Sequence, residues 1–165
     1  MHIPLVTIIG KSGCGKTTLL EKLVAELKSR HYKLATIKHH SHRGFEIDKP
    51  GKDSWRVAQA GSDHVIIASP DKIASYRKIE HELSLDEIAA SISDVDLILV
   101  EGYKQAGKPA LEVVRAKNSR ELIGSEEQRF AVAADFPLDL GVPQFELDDV
   151  LGIADLIEER FLEKS

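Results

Sequence analysis

The sequence predicts a three-layer α/β domain with a mostly parallel sheet and additional antiparallel strands. Short apolar runs alternate along the chain with helical patterns, and that alternation is typical of βαβ units. The chain has 165 residues, of which 42% are hydrophobic and 30% are charged, as in a soluble globular protein. Because it contains no linker and no internal repeat, residues 1–165 are predicted to form a single domain.

The N-terminal third predicts two strands, one helix and a long loop. Residues 3–9 are rich in β-branched side chains and end at Gly10, which indicates a buried strand. Residues 17–30 place leucines on one helical face, and residues 33–38 form the next strand. Residues 39–53 contain glycine and proline and have no apolar period, so they predict a loop of the length that usually carries function or moves.

The rest of the chain predicts five further strands and three helices. Ser69-Pro70-Asp71 joins two of the strands in a hairpin-type connection, and one helix begins with a Ser84-x-x-Glu87 capping box. The strands are predicted at residues 64–68, 72–78, 95–100, 110–115 and 130–134. The helices are predicted at residues 54–60, 84–91 and 148–163, the last with Leu151, Ala154, Ile157 and Phe161 facing inward.

Charge and cysteine content exclude several classes of protein. The formal net charge is -5, so the chain lacks the basic footprint of a nucleic-acid-binding protein. No apolar run approaches the roughly 20 residues that span a bilayer. The single cysteine, Cys14, cannot form an internal disulfide, and the first residues lack the pattern of a secretory signal. We therefore expect a cytoplasmic protein with neither a membrane nor a nucleic acid as its partner.

Residues 10–17 read Gly-Lys-Ser-Gly-Cys-Gly-Lys-Thr and match G-x-x-x-x-G-K-S/T between a strand and a helix, which is the context of a phosphate-binding loop, or P-loop. Its glycines let the backbone approach phosphate oxygens, and successive N–H groups form a concavity that holds anions. Lys16 supplies a charge to the β- and γ-phosphates, and the Thr17 hydroxyl can bind Mg²⁺. The predicted nucleotide-binding residues are Gly10, Lys11, Ser12, Gly13, Cys14, Gly15, Lys16, Thr17 and Thr18.

Two carboxylates are candidate partners of that metal ion. A buried strand delivers Glu101 at its C-terminal end, where ligands bind in sheets of this kind. Asp53 comes just before a short helix, so it can either cap that helix or reach the metal. Asp48 is a second candidate with weaker placement, and an ordinary loop acid is the alternative interpretation of Glu101.

The loop after the second strand carries histidines and cations. Three imidazoles within four residues would suit a transition metal, but adjacent histidines on an extended chain point to opposite sides, and no cysteine accompanies them. Contacts with phosphate or pterin are therefore the favoured interpretation. We expect residues 38–56 to be poorly ordered without ligand and to bind a second anion beside the nucleotide. The predicted substrate-loop residues are Lys38, His39, His40, His42, Lys52, Arg56 and Lys104.

These segments together resemble the molybdopterin-guanine dinucleotide biosynthesis protein B (MobB) family. The resemblance rests on residues 10–18, on Lys-His-His-Ser-His at 38–42, on Asp-Lys-Pro-Gly-Lys-Asp-Ser at 48–54 and on Val-Glu-Gly-Tyr-Lys at 100–104. It implies a P-loop NTPase fold, usually homodimeric, that binds GTP and assists the attachment of GMP to molybdopterin by a separate guanylyltransferase.

The resemblance also implies roles for particular residues. By similarity to related P-loop enzymes such as dethiobiotin synthetase, Thr17, Asp53 and Glu101 would share the Mg²⁺, and Lys16, Asp53 and Glu101 would be the catalytic set. One departure concerns the base, because the guanine-reading motif N-K-x-D is absent from the sequence. The nearest candidate is Asp135, which can accept hydrogen bonds from guanine or simply end a strand.

The sequence thus favours a GTP-binding accessory protein of molybdenum cofactor maturation that is at most a slow Mg²⁺-dependent GTPase. Slow turnover is expected because neither a water-orienting glutamine nor an arginine finger is evident. The alternatives are a small-substrate kinase or ligase of the dethiobiotin-synthetase type, and a nucleotide-dependent metal chaperone that uses the histidine loop.

Overall fold

The computed structural model describes residues 3–162, which form a six-stranded sheet, a two-stranded sheet and four helices. The elements in chain order are β1 (Leu5–Ile9), α1 (Lys16–Ser29), β2 (Leu34–Lys38), α2 (Asp53–Gln59), β3 (His64–Ala68), β4 (Ile73–Arg77), α3 (Leu85–Ala89), β5 (Leu97–Glu101), β6 (Ala110–Val114), β7 (Arg129–Ala134), β8 (Gln144–Phe145) and α4 (Val150–Phe161). None of the described helices has the length and apolar character needed to cross a membrane.

The larger sheet brings the carboxyl ends of three strands to one edge. Its strand order is β2-β5-β1-β6-β7-β8, and every neighbouring pair is parallel. Glu101 at the end of β5 is in register with Ile8 of β1 on one side and with Lys38 of β2 on the other. In parallel sheets this edge is where ligands bind, so the register itself places Glu101 beside the loop that leaves β1.

Helices and loops cover both faces of this sheet, which gives the three predicted layers. Val6 of β1 belongs to the same buried cluster as Leu23 of α1 and Ile153 of α4. On the opposite face, Ile98 of β5 clusters with Leu85 of α3. The two faces differ because successive residues of a strand point to opposite sides. Each fully buried aliphatic side chain of this kind contributes about 1.5–3 kcal/mol to the free energy of unfolding.

The chain divides into two compact units. The first unit runs up to His39 and resumes at Ser84, and the second is His40–Leu83. The second unit contains α2 and an antiparallel hairpin, in which His64 of β3 is in register with Arg77 of β4. That hairpin and the parallel sheet confirm the predicted fold class, whereas the single domain over residues 1–165 stays a prediction.

Most predicted elements are present, including the capping box in which Ser84 and Glu87 bond each other's backbone N–H groups. The last helix differs from its prediction. It begins at Val150, after the capping residue Asp149, and the predicted end at residue 163 lies outside the described residues. Leu151 does not face inward, since its side chain is 61% exposed while Ile153 is fully buried. Two residues correspond to about 200° around an α-helix, so these side chains point in nearly opposite directions.

Two further differences concern the ends of short elements. The helix predicted at residues 54–60 begins at Asp53 itself, and Lys52 occupies the capping position, so Asp53 is not the cap. The two-residue strand β8 was not predicted, because two residues are too few to show a strand pattern and the strand is defined by its pairing with β7.

Candidate functional site

The P-loop leaves β1 at the ligand-binding edge of the sheet and leads into α1. A Cβ atom on Gly10 would lie 2.4 Å from the carbonyl oxygen of Val113, so a larger residue cannot fit where the loop passes β6. Gly15 is the N-cap of α1, with φ 102° in the left-handed region, and no side chain caps this helix. The first N–H groups of a helix lack partners within it, so they remain available to an anion.

Lys16 holds its ammonium group against the backbone of the same loop. Its Nζ atom donates to the carbonyl oxygens of Gly10 and Lys11, each at 2.8 Å. Both partners belong to the loop itself, and the role of Lys16 at a phosphate group stays a prediction. Cys14 lies beneath this group with 2% of its surface exposed, and its Sγ is 4.0 Å from Lys16 Nζ. The burial of Cys14 favours its interpretation as a small residue that fits the loop over that of a redox-sensitive thiol.

Glu101 meets the P-loop helix directly. Its Oε2 atom accepts a hydrogen bond of 2.8 Å from the Thr17 hydroxyl, and its Oε1 atom accepts one of 2.6 Å from Lys38 Nζ. The residue is 7% exposed, although it stands at the edge of the sheet. The structure thereby brings together three residues that the sequence assigned to the site, and it does so through the strand register described above.

The charge state of Glu101 follows from these contacts. Burial acts to raise the pKa of the Glu101 carboxyl, but the hydrogen bonds from Lys38 and Thr17, with the charges of Lys38 and Lys16, hold that pKa below its ordinary value. Glu101 is therefore a carboxylate at neutral pH. An ionised carboxylate beside a hydroxyl offers the hard oxygen ligands that Mg²⁺ prefers.

These residues fit a magnesium ion that is shared with a nucleotide. Mg²⁺ at such sites uses one or two carboxylates and completes its shell with water and substrate phosphates, so Thr17 and Glu101 suffice as the protein's ligands. Within residues 3–162, no three His, Cys, Asp or Glu side chains converge as a metal site of the protein alone would require.

Asp53, the other predicted metal ligand, belongs to the second unit. It is the first residue of α2, and its side chain is fully exposed, with the Arg56 guanidinium 3.9 Å away. An exposed pair at that distance contributes little to stability. Asp53 is therefore free to serve a ligand, and its role at the metal stays a prediction.

Asp48 occupies a more ordered place in the same unit. Its carboxylate accepts hydrogen bonds from the Tyr76 hydroxyl at 2.7 Å and from the backbone N–H of Lys49 at 2.8 Å. The hydrogen bond from Tyr76, with one from Ser54, lowers the pKa of Asp48. Asp48 thus holds the loop to β4.

The predicted histidine cluster divides between the two units. His39, in the first unit, lies against Tyr103 with 4.4 Å between the ring centres. His40 and His42, in the second unit, have their ring centres 5.8 Å apart, and His40 also contacts Phe45 edge-on. The aromatic neighbours give these rings a packing role that needs no metal.

A segment after β6 contacts the P-loop and was missed by the sequence analysis. Asn118 Nδ2 donates to the carbonyl oxygen of Ser12 at 3.0 Å, and Lys11 forms an ion pair with Glu121. The Arg115 guanidinium lies so near the loop that a Cβ atom on Gly15 would be 3.3 Å from its Nη2 atom. The available signal was that Arg115 directly follows a buried strand, at the edge where ligands bind.

The remaining predicted residues lie around this loop. Asp135 follows β7, and its Oδ1 atom accepts a hydrogen bond of 2.7 Å from the backbone N–H of Ala116. One oxygen of Asp135 therefore positions the segment after β6, while a role in base recognition stays a prediction. Thr18 is exposed on α1 and Lys104 is exposed after β5, where its carbonyl oxygen accepts from Gln128.

Comparison with known proteins points to one family. The family model described as MobB, molybdopterin guanine dinucleotide synthesis protein B, matches residues 5–135. A molybdopterin-guanine dinucleotide biosynthesis adapter protein of Haemophilus influenzae is 42% identical over 159 residues, or 95% of this chain and 89% of that protein. The Escherichia coli protein of the same description is 39% identical over 163 residues, with 95% and 93% covered.

Solved structures agree with the sequence matches. A crystal structure of molybdopterin-guanine biosynthesis protein B has a TM-score of 0.73 at 32% identity and covers 94% of this chain and 98% of its own. Bacillus subtilis MobB has a TM-score of 0.79 and covers 99% and 100%, but at 22% identity it supports the fold alone.

Proposed function

We propose a function for this chain that starts from its family, since the chain belongs to the molybdopterin guanine dinucleotide synthesis protein B family. The proposed function is that of a GTP-binding adapter in the formation of molybdopterin guanine dinucleotide. The observation that carries the nucleotide part is the contact between Thr17 and Glu101 at the mouth of an uncapped P-loop helix. A buried, ionised carboxylate at that point can hold the metal ion of a metal–phosphate complex.

The chain's own residues would act in sequence as the nucleotide binds. Backbone N–H groups of the P-loop would donate hydrogen bonds to the phosphate oxygens, and Lys16 would exchange its two carbonyl partners for the same anion. Thr17 and Glu101 would hold Mg²⁺, which neutralises part of the phosphate charge when it is bound. Lys38 keeps the Glu101 carboxylate oriented from the neighbouring strand.

The same geometry supports slow hydrolysis. A general base works best when its pKa is near the ambient pH, whereas the pKa of Glu101 lies below the ordinary glutamate value. Glu101 is also engaged by two hydrogen bonds, so it orients the metal rather than taking a proton from water. A slow GTPase suits an adapter, since the nucleotidyl transfer would belong to a partner guanylyltransferase.

The second unit has the surface expected of an association region. Of the eight large hydrophobic side chains that are exposed in the described part of the chain, seven belong to this unit. Exposed large apolar side chains that are concentrated in one unit favour protein association. We therefore assign the proposed homodimer and the contact with the guanylyltransferase to this unit. The seven residues are Phe45, Ile47, Val57, Ile66, Ile67, Ile73 and Ile79.

Two hollows of the second unit suit the pterin that the adapter would handle. One, of about 400 Å³, is lined by the aromatic side chains of Phe45, Trp55 and Tyr76, on which a flat heterocycle can stack. The other, of about 670 Å³, is lined by Lys49 and Lys52, which can contact a phosphate, and by Asp48 and Asp53, whose charges offset those of the lysines. The aromatic lining supports the proposed contact with a pterin, whereas the second anion site in the loop stays a prediction.

The nucleotide part is tested by calorimetric titration of GTP into the parent, Lys16→Ala and Lys22→Ala proteins. Lys22 is exposed on α1, so its replacement is a matched change of charge on the same helix. We expect Lys16→Ala to abolish measurable GTP binding without changing the circular dichroism spectrum, and Lys22→Ala to bind like the parent. Equal GTP affinity in all three proteins would contradict the nucleotide site. Co-purification with a molybdopterin guanylyltransferase tests the adapter part.

A further inference from the structure

Residues 115–121, called here the cover segment, form a second wall of the phosphate site. The cover segment follows β6, the neighbour of β1 on the side opposite β5. It contacts the P-loop at three points, through Asn118 on Ser12, Glu121 on Lys11, and Arg115 over Gly15. A Cβ atom on Gly13 would also lie only 2.8 Å from Asn118 Nδ2, so the two segments are packed closely.

The cover segment is held in place independently of any ligand. At its start, Asp135 accepts from the backbone N–H of Ala116. Beyond its end, the carboxylate of Glu112 accepts from the backbone N–H groups of Ile123 and Gly124. Glu112 is fully buried and is paired with Arg129, which is 6% exposed. Glu112 is in β6 and Asp135 directly follows β7, so the segment presents its side chains to the P-loop in a fixed geometry.

The position of the metal contact gives the direction of a bound nucleotide. Thr17 and Glu101, which face the terminal phosphates and their metal, lie on the β5 side of β1. The nucleoside end of the phosphate chain leaves the loop away from that metal. On the other side of β1, the P-loop contacts β6, where Val113 lies against Gly10, and beyond it the cover segment.

We propose that the cover segment is the wall that contacts the base, and that Arg115 selects guanine in place of the absent N-K-x-D motif. This inference rests on the proposed nucleotide site. In residues 3–162 no carboxylate pairs with the Arg115 guanidinium, so its donors are available to a ligand. Asn118 uses one N–H group on Ser12 and keeps its second N–H group and its carbonyl oxygen.

The chemistry of the two purines explains the choice. Arginine carries donors only, in a planar fork, and guanine presents two adjacent acceptors, O6 and N7. Adenine presents an amino donor where guanine has O6, so the same fork would meet a donor and lose a hydrogen bond. Arg115 is thus assigned base discrimination, whereas Lys16 binds the phosphates that all nucleotides share.

The test compares the affinities of GTP, ATP and inorganic triphosphate for the parent, Arg115→Ala, Arg115→Lys and Lys117→Ala proteins. Lys117 is the matched control, because it is an exposed cation of the cover segment for which no P-loop contact is seen. We expect Arg115→Ala to weaken GTP binding by about ten- to a hundredfold, and to leave ATP and triphosphate binding within about twofold of the parent. Arg115→Lys keeps the charge but not the fork, so it should also lose the preference for GTP.

Three results would overturn the inference. Equal weakening of GTP, ATP and triphosphate by Arg115→Ala would make Arg115 a phosphate ligand. Equal effects of Arg115→Ala and Lys117→Ala would leave only a general charge effect. A parent that binds GTP and ATP equally would show that the cover segment selects no base. A parent that binds none of the three probes would instead refute the proposed function itself, which separates the two failures.

Discussion

The two units of this chain differ in which side chains they bury and which they expose. In the first unit, carboxylates such as Glu101 and Glu112 are buried and fully partnered, with 7% and 0% of their surfaces exposed. In the second unit, isoleucines such as Ile47 and Ile73 are 70% and 72% exposed. Buried, hydrogen-bonded charge fixes geometry for a small ligand, whereas exposed apolar surface favours association. This difference is the reason why we propose that the first unit binds the nucleotide and that the second unit binds partners.

The contrast between the two units predicts that the buried polar contacts of the first unit are needed for its stability. Replacing Glu112 by Gln leaves the Arg129 guanidinium without its charged partner in the core. We expect a loss of about 3–5 kcal/mol in the free energy of unfolding, measured by urea denaturation. The control is Lys108→Ala, which removes an ion pair with the exposed Asp86 carboxylate and should cost about 0–1 kcal/mol. Similar losses in the two proteins would refute a structural role for the buried pair.

The assignment of association to the second unit can be tested with one pair of exposed residues. Ile73 of β4 and Leu151 of α4 are 72% and 61% exposed, but they belong to different units. We expect Ile73→Ser to weaken self-association by about tenfold in sedimentation experiments, and Leu151→Ser to have no such effect. Neither change should alter the free energy of unfolding by more than about 0.5 kcal/mol. Weaker association in Leu151→Ser alone would reverse the assignment.

The smallest expected effect concerns the pH dependence of the first unit. The folded pKa of Glu101 lies below its ordinary value of 4.5, so its stabilising contribution is present above pH 4.5 and is lost as the pH falls through the folded pKa. Glu101→Gln lacks this contribution, so the difference in unfolding free energy between parent and variant should shrink on acidification. Glu127→Gln, a change at an exposed position, is the control. If the difference in unfolding free energy between parent and Glu101→Gln grows as the pH falls, the pKa of Glu101 is not lowered by its contacts.

The sequence predicted those parts of the molecule that local patterns determine. The P-loop, the capping box at Ser84 and the hairpin follow from residues that are neighbours in the chain. Glu101 could be placed as well, since the carboxyl ends of parallel strands share one edge. The cover segment could not, because the contact between Ser12 and Asn118 joins residues 106 positions apart and leaves no periodic signal. Leu151 was predicted to face inward with Ala154, but it lies nearly opposite Ile153 on the helix and its side chain is 61% exposed.

In the proposed function, the first unit holds GTP through a metal ion that Thr17 and Glu101 share. This metal site is tested most directly by measuring GTP affinity with and without Mg²⁺ for the parent, Glu101→Gln and Asp53→Asn proteins. We expect Mg²⁺ to tighten GTP binding by the parent, and we expect Glu101→Gln to lose that gain while keeping its metal-free affinity, because an amide is a poorer ligand than a carboxylate for this hard cation. A loss of the gain in Asp53→Asn as well would add Asp53 to the metal site. The same gain from Mg²⁺ in the parent and in Glu101→Gln would contradict the account.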